Sequence, residues 1–310
     1  MAVLLSTKAH TMADWKRALL AVDPTLDIRL FPDTGDPGSI EAAVVWNAHD
    51  MAELTRYPNL KLIVSMGAGV DHLFRPPGPP PGVPVARLVD VLLTSAMSEW
   101  VLLNVLRFHR QDAEYRAQQA ARVWEELDAP VTSETAIGIL GLGELGSDSA
   151  HKLRLLGFPV MGWTRRPKQV EGVENFTGAE GLLAMAAKSR MLVCLLPLTP
   201  DTRGIVNARL LSALPRGAFL LNSARGGHVV DADLLAALDS GHVAAAALDV
   251  FSPEPLPAEH PYWSHPKVVM TPHSSSITIP GSVAPQVVEN IHRARAGRPL
   301  INLVDFSAGY

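Results

Sequence analysis

Short apolar runs alternate with longer amphipathic stretches along most of the chain. In the first hundred residues these runs have the length and composition of β-strands, and helical periodicity or polar turns separate them. The predicted strands of this part cover residues 2–5, 28–31, 42–46 and 60–64. Because helices between strands act as crossover connections, the pattern predicts a parallel sheet.

The same alternation resumes near residue 136, after an irregular middle section. Residues 74–84 contain six prolines and are predicted to form an exposed excursion, since proline continues neither a helix nor a central strand. Residues 95–124 contain no proline or glycine and are predicted to form one long helix, and residues 284–296 a last helix. A second parallel sheet is predicted from strands at residues 136–140, 158–163, 191–196, 218–222, 244–249 and 268–270.

Length and composition agree with a folded protein of two domains. The chain has 310 residues, 47% of them hydrophobic and 19% charged, which is typical of globular proteins. A net charge of −4 and a pI near 6.3 argue against nucleic acid as a partner. The single cysteine, Cys194, lies in an apolar run and is predicted to be a small buried residue rather than a reactive thiol.

No uninterrupted apolar run approaches the roughly 18 residues of a membrane helix, and residues 1–10 become polar too early for a signal peptide. We therefore expect a cytoplasmic protein without a membrane partner. The first half of the predicted long helix is apolar on nearly all sides, which predicts burial between domains or subunits. A homodimer is the expected assembly.

A glycine-rich turn follows the strand predicted at residues 136–140. The sequence AIGILGLGELG places Gly141, Gly143 and Gly146 between an apolar run and a helical pattern. Glycines at this spacing allow a tight turn, close approach of a pyrophosphate and packing of the helix on the strand. Although glycines also cluster in ordinary turns, this context favours dinucleotide binding, with Glu144 and Leu145 at the start of the helix.

Basic residues follow the next predicted strand, where the choice between NAD and NADP is made. In NAD sites an acidic residue about 20 residues beyond the glycines binds the ribose 2′-hydroxyl, whereas arginine accommodates a 2′-phosphate. Here Thr164, Arg165, Arg166 and Lys168 stand at this place, with no carboxylate among them. The pattern predicts NADP(H) as the preferred cofactor, with NAD(H) as an alternative; a solvated basic turn is the competing interpretation.

Several motifs in the second half occur together and in order. They are SARGG around Arg225, ALDVFSPEP ending near Glu254 and MTPH ending at His273, with SMGAGVDH, GWTRR, LLPLTPDTRGIVN and the closing Gly309 and Tyr310 elsewhere. In these motifs the chain resembles the D-2-hydroxyacid dehydrogenase family, and within it the glyoxylate and hydroxypyruvate reductase A branch. The resemblance extends over essentially the whole chain.

The resemblance implies a role for each motif residue. Arg225 would bind the substrate carboxylate, and Glu254 and His273 would form the catalytic pair, with His273 as general acid. Asp249 would contact the nicotinamide amide. Further cofactor contacts are implied at Leu196, Pro197, Thr202 and Ala224.

Substrate contacts are implied at Trp46, Met66, Gly67, Ala68 and Gly69, although Trp46 could equally be a core aromatic and the loop an ordinary turn. No metal ligand is implied. The histidines outside these motifs are predicted to be structural or exposed, and they are His228, His242, His260 and His265.

The implied fold is α/β, with two Rossmann-like domains that contain parallel sheets. A dinucleotide-binding domain at residues 98–280 would be inserted into a flavodoxin-like substrate-binding domain at residues 1–97 and 281–310. The expected activity is NADPH-dependent reduction of a small 2-keto acid by hydride transfer. Two alternatives remain open: a same-fold dehydrogenase for a bulkier 2-keto acid, and a non-catalytic NADP-sensing or scaffold protein.

Overall fold

The structure, a computed structural model, describes residues 2–7, 9–46, 51–74, 76 and 78–306. Gly309 and Tyr310 of the family resemblance and Pro77 of the proline-rich stretch lie outside the described residues. The helices and strands are, in chain order, β1 (Ala2–Ser6), α1 (Ala9–Val22), β2 (Asp27–Leu30), β3 (Ile40–Val45), β4 (Leu62–Ser65), β5 (Val85–Ala86), α2 (Val91–His109), α3 (Asp112–Ala121), β6 (Ile137–Leu140), α4 (Glu144–Leu155), β7 (Val160–Thr164), β8 (Glu174–Thr177), α5 (Gly178–Lys188), β9 (Met191–Cys194), α6 (Ala208–Ala213), β10 (Ala218–Asn222), α7 (Asp231–Asp239), β11 (Val243–Leu248), β12 (Val268–Met270) and α8 (Pro280–Arg295).

The chain divides into two units, and the second is inserted into the first along the sequence. Unit 1 consists of residues 1–93 and 278–310, and unit 2 of residues 94–277. These divisions fall a few residues before the predicted boundaries at 97/98 and 280/281. The assignment of substrate binding to one unit and dinucleotide binding to the other stays a prediction.

Unit 1 is built on a parallel five-stranded sheet in the order β2-β1-β3-β4-β5. This is the flavodoxin-like strand order. Because side chains of a strand alternate between faces, Val3 and Leu5 pack in the apolar cluster that includes residues of α1 and α8, whereas Ala2 and Leu4 pack on the opposite face. Both faces are covered, so β1, β3 and β4 are buried throughout and apolar except for one polar residue in each.

Unit 2 contains a parallel seven-stranded sheet in the order β12-β11-β10-β9-β6-β7-β8. Its first six strands in chain order have the Rossmann arrangement 3-2-1-4-5-6, and β12 extends the sheet beyond β11. In β9, Met191 and Val193 pack in one apolar cluster and Leu192 and Cys194 in the other. The predicted α/β class with two parallel sheets is confirmed, and Cys194 is buried as predicted.

The prediction of one long helix over residues 95–124 is wrong. The structure has two helices, α2 and α3, and the chain turns between them at Gln111, whose φ of 55° lies in the left-handed region. Arg107 Nε lies 3.5 Å from Asp112 Oδ2 across this turn. No helix continues beyond Arg122 to residue 131. The break is invisible in the sequence pattern because no glycine or proline marks it.

Helix α2 accounts for the apolar segment that the sequence analysis placed between domains or subunits. With 19 residues it is, among the described residues, the one helix long and apolar enough to cross a membrane by length and composition. Trp100, Val101 and Val105 nevertheless pack in the core of unit 2, and Leu103 and Leu106 are exposed. Core packing thus accounts for the buried side of α2, and burial of its exposed side between domains or subunits stays a prediction. The homodimer, the cytoplasmic location and the absence of membrane and nucleic-acid partners stay predictions.

Candidate active site

The glycine-rich turn connects β6 to α4 with almost no room for side chains. Gly141 has a φ of 96°, and a Cβ on Gly146 would lie 1.9 Å from the Gly141 carbonyl oxygen, so both positions require glycine. Gly143 differs, because no atom lies within 4 Å of where its Cβ would stand. No side chain caps α4. The first N–H groups of the helix, from Glu144 and Leu145, therefore border an open space that suits an anion.

Several basic residues follow the end of β7, beside the glycine turn. Thr164 is the last residue of β7, and its hydroxyl donates a hydrogen bond to the Arg166 carbonyl oxygen at 2.7 Å. Arg165 and Arg166 are exposed. Lys168 reaches back to the glycine turn, where its Nζ donates to the Leu142 carbonyl oxygen. Lys168 belongs to the basic run predicted to select NADP(H), and this hydrogen bond places its side chain at the glycine turn.

The remaining predicted cofactor residues lie at the carboxyl ends of neighbouring strands. Leu196 and Thr202 are buried in the segment after β9, where the Pro197 carbonyl oxygen accepts hydrogen bonds from Thr202 Oγ1 at 2.7 Å and from His228 Nε2 at 3.3 Å. Ala224 is buried just after β10. Since β10, β9 and β6 are adjacent, these residues and the glycine turn share one edge of the sheet, where nucleotides bind in this fold.

His273 and Glu254 form a direct hydrogen-bonded pair in unit 2. His273 Nδ1 lies 2.8 Å from Glu254 Oε2, and the backbone N–H of Phe251 donates to Glu254 Oε1 at 2.9 Å. Partial burial favours the neutral carboxyl, but the hydrogen bonds from His273 and Phe251 and the charges of His273 and Arg225 outweigh it and hold the pKa of Glu254 below its usual value. About a third of each side chain is exposed, at 36% for His273 and 35% for Glu254, so both side chains are accessible to solvent.

The backbone of His273 is held in an uncommon conformation by Asp249. His273 has a φ of 52°, in the left-handed region, and its N–H donates to the Asp249 carbonyl oxygen at 2.7 Å. The Asp249 carboxylate is fully buried and accepts hydrogen bonds from Thr271 Oγ1 at 2.5 Å, Ser274 N at 2.9 Å and Ser275 N at 3.1 Å. Asp249 therefore fixes the loop that carries the histidine. Its predicted contact with a nicotinamide amide stays a prediction.

Arg225 begins the short turn that follows β10, close to the Glu254 segment. Its Nη1 donates to the Ala224 carbonyl oxygen at 2.7 Å, and its charge contributes to lowering the pKa of Glu254. The next residue, Gly226, packs against the backbone of Phe251, since a Cβ at this glycine would lie 2.0 Å from the Phe251 carbonyl carbon. This close approach brings the arginine turn against the segment that anchors Glu254. The three predicted catalytic residues thus come from three strand ends of one unit.

The predicted substrate residues of unit 1 also lie at the carboxyl ends of strands. Trp46 directly follows β3, and Met66 directly follows β4. Gly67 packs beneath the indole, because a Cβ there would lie 2.3 Å from Trp46 Cζ3. Met66 and Gly67 are buried, and Ala68 and Gly69 are half-buried. The structure therefore brings Trp46 and the glycine loop together within unit 1.

Comparison with known proteins identifies the family. The sequence model described as "D-isomer specific 2-hydroxyacid dehydrogenase, NAD binding domain" matches residues 102–275. A glyoxylate/hydroxypyruvate reductase A of Yersinia enterocolitica is 44% identical over 301 residues, which are 96% of either chain. The chain belongs to the D-isomer specific 2-hydroxyacid dehydrogenase family. A protein of the same name from Serratia proteamaculans, 42% identical over 303 residues, also supports the branch named from the motifs.

Solved structures of this dehydrogenase family have the same fold. A family member from Xanthobacter autotrophicus Py2, in complex with NADPH and MES, gives a TM-score of 0.95 at 44% identity, over 100% of this chain and 99% of that one. An NADPH-dependent glyoxylate/hydroxypyruvate reductase from Sinorhizobium meliloti, in complex with NADP and sulfate, gives a TM-score of 0.93 at 39% identity, over 100% of both chains. The dehydrogenase fold predicted from the motifs is confirmed.

Two features near the predicted site residues left no signal in the sequence. His228, predicted to be structural or exposed, is fully buried, as the first of these two predictions requires, and its contacts are with the Arg225 backbone and the Pro197 carbonyl. Burial favours its neutral ring, but interactions with Cys194 and with the Pro197 and Arg225 carbonyls outweigh it and raise the pKa of His228. The other feature is the set of hydrogen bonds by which Asp249 holds the loop around His273.

Within the described residues no group of three or more His, Cys, Asp or Glu side chains is arranged to hold a metal ion.

Proposed function

We propose that this dehydrogenase reduces small 2-keto acids, such as glyoxylate and hydroxypyruvate, to the 2-hydroxy acids with NADPH. The observation that carries the proposal is the 2.8 Å hydrogen bond between His273 and Glu254, next to the turn that bears Arg225. The relatives from Yersinia, Serratia and Sinorhizobium, which are named glyoxylate/hydroxypyruvate reductases, support the substrate class.

The residues around the glycine turn fit a phosphorylated dinucleotide. The open space at Gly143 and the uncapped start of α4 suit a pyrophosphate. Arg165, Arg166 and Lys168 supply the positive charge that a 2′-phosphate requires, which favours NADP(H) and leaves NAD(H) as an alternative. The relatives solved with NADPH or NADP support this choice. When bound, the dihydronicotinamide supplies a hydride, with its electron pair, to the keto carbon.

His273 supplies the proton that completes the reduction. Addition of a hydride to the keto carbon leaves negative charge on the oxygen, and a proton from His273 Nε2 converts this oxygen to a hydroxyl group. Glu254 accepts a hydrogen bond from Nδ1, so it fixes the orientation of the ring and stabilises the charged imidazolium before transfer. The exposed part of His273 allows it to regain a proton from solvent.

Arg225 binds the carboxylate of the 2-keto acid and orients its carbonyl group. A guanidinium group donates two parallel hydrogen bonds to a carboxylate, which fixes both position and rotation of the substrate. Because its turn packs on Phe251 through Gly226, Arg225 has a fixed position relative to Glu254. In unit 1, Trp46 and the loop that begins at Met66 are the predicted substrate contacts, on the strength of the family resemblance.

A panel of initial rates tests the proposed function. We expect NADPH to be oxidised with glyoxylate and with hydroxypyruvate. For these two acids, kcat/KM with NADPH should be about 10-fold or more above kcat/KM with NADH, and also about 10-fold or more above kcat/KM for phenylpyruvate with NADPH. A clear preference for phenylpyruvate would instead favour the dehydrogenase for bulkier 2-keto acids. Absence of reduction with all three acids would support the non-catalytic NADP-binding alternative.

Cofactor choice is tested by Arg165→Ala with both nucleotides. We expect the KM for NADPH to rise about 10-fold and the KM for NADH to change little, because only NADPH carries the 2′-phosphate. Arg216→Ala is the matched control, since Arg216 hydrogen-bonds the Ser240 carbonyl at 2.8 Å, far along the chain from the basic run. Equal effects of Arg165→Ala on the two cofactors would contradict the role of Arg165.

A further inference from the structure

His228 lies inside unit 2, between two segments that carry predicted site residues. Its side chain is fully buried. Nδ1 lies 3.2 Å from the Arg225 backbone nitrogen and 3.1 Å from the Arg225 carbonyl oxygen, and Nε2 lies 3.3 Å from the Pro197 carbonyl oxygen. One ring therefore joins the turn that begins at Arg225 to the segment after β9.

Further hydrogen bonds hold each of the two joined segments. The Pro197 carbonyl oxygen also accepts a hydrogen bond from the hydroxyl of Thr202, and Thr202 is buried. The Val206 backbone N–H donates to the His228 carbonyl oxygen at 2.9 Å, which holds the other end of the arginine turn. His228 thus links this framework through its side chain to the backbone of Arg225, whose carbonyl oxygen also accepts a hydrogen bond from Asn222 Nδ2 at 3.0 Å.

We propose that His228 is a positioning residue for Arg225, which it holds through its backbone in the orientation needed for the substrate carboxylate. This inference rests on the proposed function. An imidazole suits the task because its two nitrogens lie on opposite edges of a rigid ring and reach both segments at once. An apolar residue of similar size would fill the space but would leave buried backbone groups of Arg225 and Pro197 with fewer partners.

The proposal predicts a defect in substrate binding that is separate from cofactor binding. For His228→Leu we expect the KM for glyoxylate to rise about 10-fold or more, because a shift of Arg225 weakens the contact with the carboxylate. The Kd for NADPH should stay within about 3-fold of wild type, since Thr202 still holds the Pro197 carbonyl. Steady-state kinetics and NADPH fluorescence titration measure the two constants.

Two conservative variants show which side of the ring matters. The amide of asparagine lies near the position of Nδ1, and that of glutamine near the position of Nε2. We therefore expect His228→Asn to restore the KM for glyoxylate to within about 3-fold of wild type, and His228→Gln to leave it raised. This pair decides the question even where His228→Leu does not fold.

The matched control is His242, a half-buried histidine of the same unit whose Nε2 lies 2.9 Å from the Leu211 carbonyl oxygen. His242→Leu should leave the KM for glyoxylate unchanged. A wild-type KM in His228→Leu, or equal KM values in the asparagine and glutamine variants, would overturn the inference while the wild-type enzyme remains active. A wild-type protein that reduces no 2-keto acid would overturn the proposed function and this inference with it.

Discussion

Two histidine–carboxylate pairs with the same separation occur in different units of the protein. In unit 1, His292 Nε2 lies 2.8 Å from Asp23 Oδ2, and in unit 2, His273 Nδ1 lies 2.8 Å from Glu254 Oε2. The first pair joins α8 to the segment after α1. The distance between the two groups therefore does not distinguish a structural pair from a catalytic one.

The surroundings of the two pairs differ. His292 lies on a regular helix. The Asp23 carboxylate also accepts hydrogen bonds from the Thr25 hydroxyl at 2.6 Å and from the Thr25 backbone N–H at 2.9 Å. His273 instead has a left-handed φ and lies in a loop whose backbone hydrogen-bonds the Asp249 carboxylate. The charge of Arg225 contributes to lowering the pKa of Glu254. Fixed loop geometry and the charge of Arg225 favour the second pair for the proposed protonation of a keto acid.

The largest effect is expected from removal of the catalytic imidazole. His273→Gln should lower kcat for glyoxylate by about 10²- to 10⁴-fold, because a neutral amide is not a general acid. His292→Gln, which breaks the other pair, should leave kcat within about 2-fold of wild type. Steady-state NADPH oxidation by both variants measures the contrast, and similar losses in the two would remove the distinction between the pairs.

The next effect concerns Arg225, the cation whose charge contributes to lowering the pKa of Glu254. Arg225→Lys keeps the charge but loses the two parallel hydrogen bonds, so we expect kcat/KM for glyoxylate to fall about 10- to 100-fold, mainly through KM. Arg216→Lys serves as the control at a surface position. A kcat/KM for Arg225→Lys equal to that of wild type would show that bidentate binding is unnecessary.

A smaller effect is expected when the carboxylates are neutralised. Glu254→Gln can still accept a hydrogen bond but no longer stabilises the imidazolium, so kcat should fall about 10-fold. Asp23→Asn should leave kcat unchanged. Measured together, the two variants separate the roles of the carboxylates; a Glu254→Gln enzyme with full kcat would leave His273 to act without its partner.

The smallest effect is one of stability and belongs to the first pair. Hydrogen bonds from Thr25, with a further contribution from His292, lower the pKa of Asp23 from 3.8 to about 2. A carboxyl group whose pKa is lower in the folded state stabilises the fold above its unfolded pKa, and this contribution is lost as the pH falls through the folded pKa. Asp23→Asn should therefore lower the Tm at pH 7, and the difference from wild type should shrink between about pH 4 and pH 2. Thermal unfolding at several pH values checks this; a Tm difference independent of pH would contradict it.

Much of the fold could be predicted because burial on both faces leaves a strong signal in the strands. The strands β1, β3, β6 and β9 are buried throughout and consist almost entirely of apolar residues, and their alternation with helices indicated parallel sheets. Two strands escaped prediction, β5 with two residues and β8 with exposed and half-buried positions at the sheet edge. The turn at Gln111 also escaped, because a left-handed residue other than glycine has no sequence signal.

The site could be predicted only as far as its residue types and motifs. Arg225, Glu254 and His273 were named because carboxylate binding and proton transfer require such groups and because the family resemblance placed them. The hydrogen bonds of Asp249 to the His273 loop and those of His228 join groups that lie far apart in the chain, such as Pro197 and His228. Such hydrogen bonds depend on the packing of strand ends, so no local pattern predicts them.

The proposed role of His273, held against Glu254, is to deliver the proton during reduction of a small 2-keto acid. Its most direct test is the single-turnover rate of NADPH oxidation when glyoxylate is mixed with enzyme already loaded with NADPH, for wild type and His273→Gln. We expect rapid oxidation by wild type and a rate about 10²- to 10⁴-fold lower in the variant, with NADPH still bound. Equal single-turnover rates in the two proteins would contradict it.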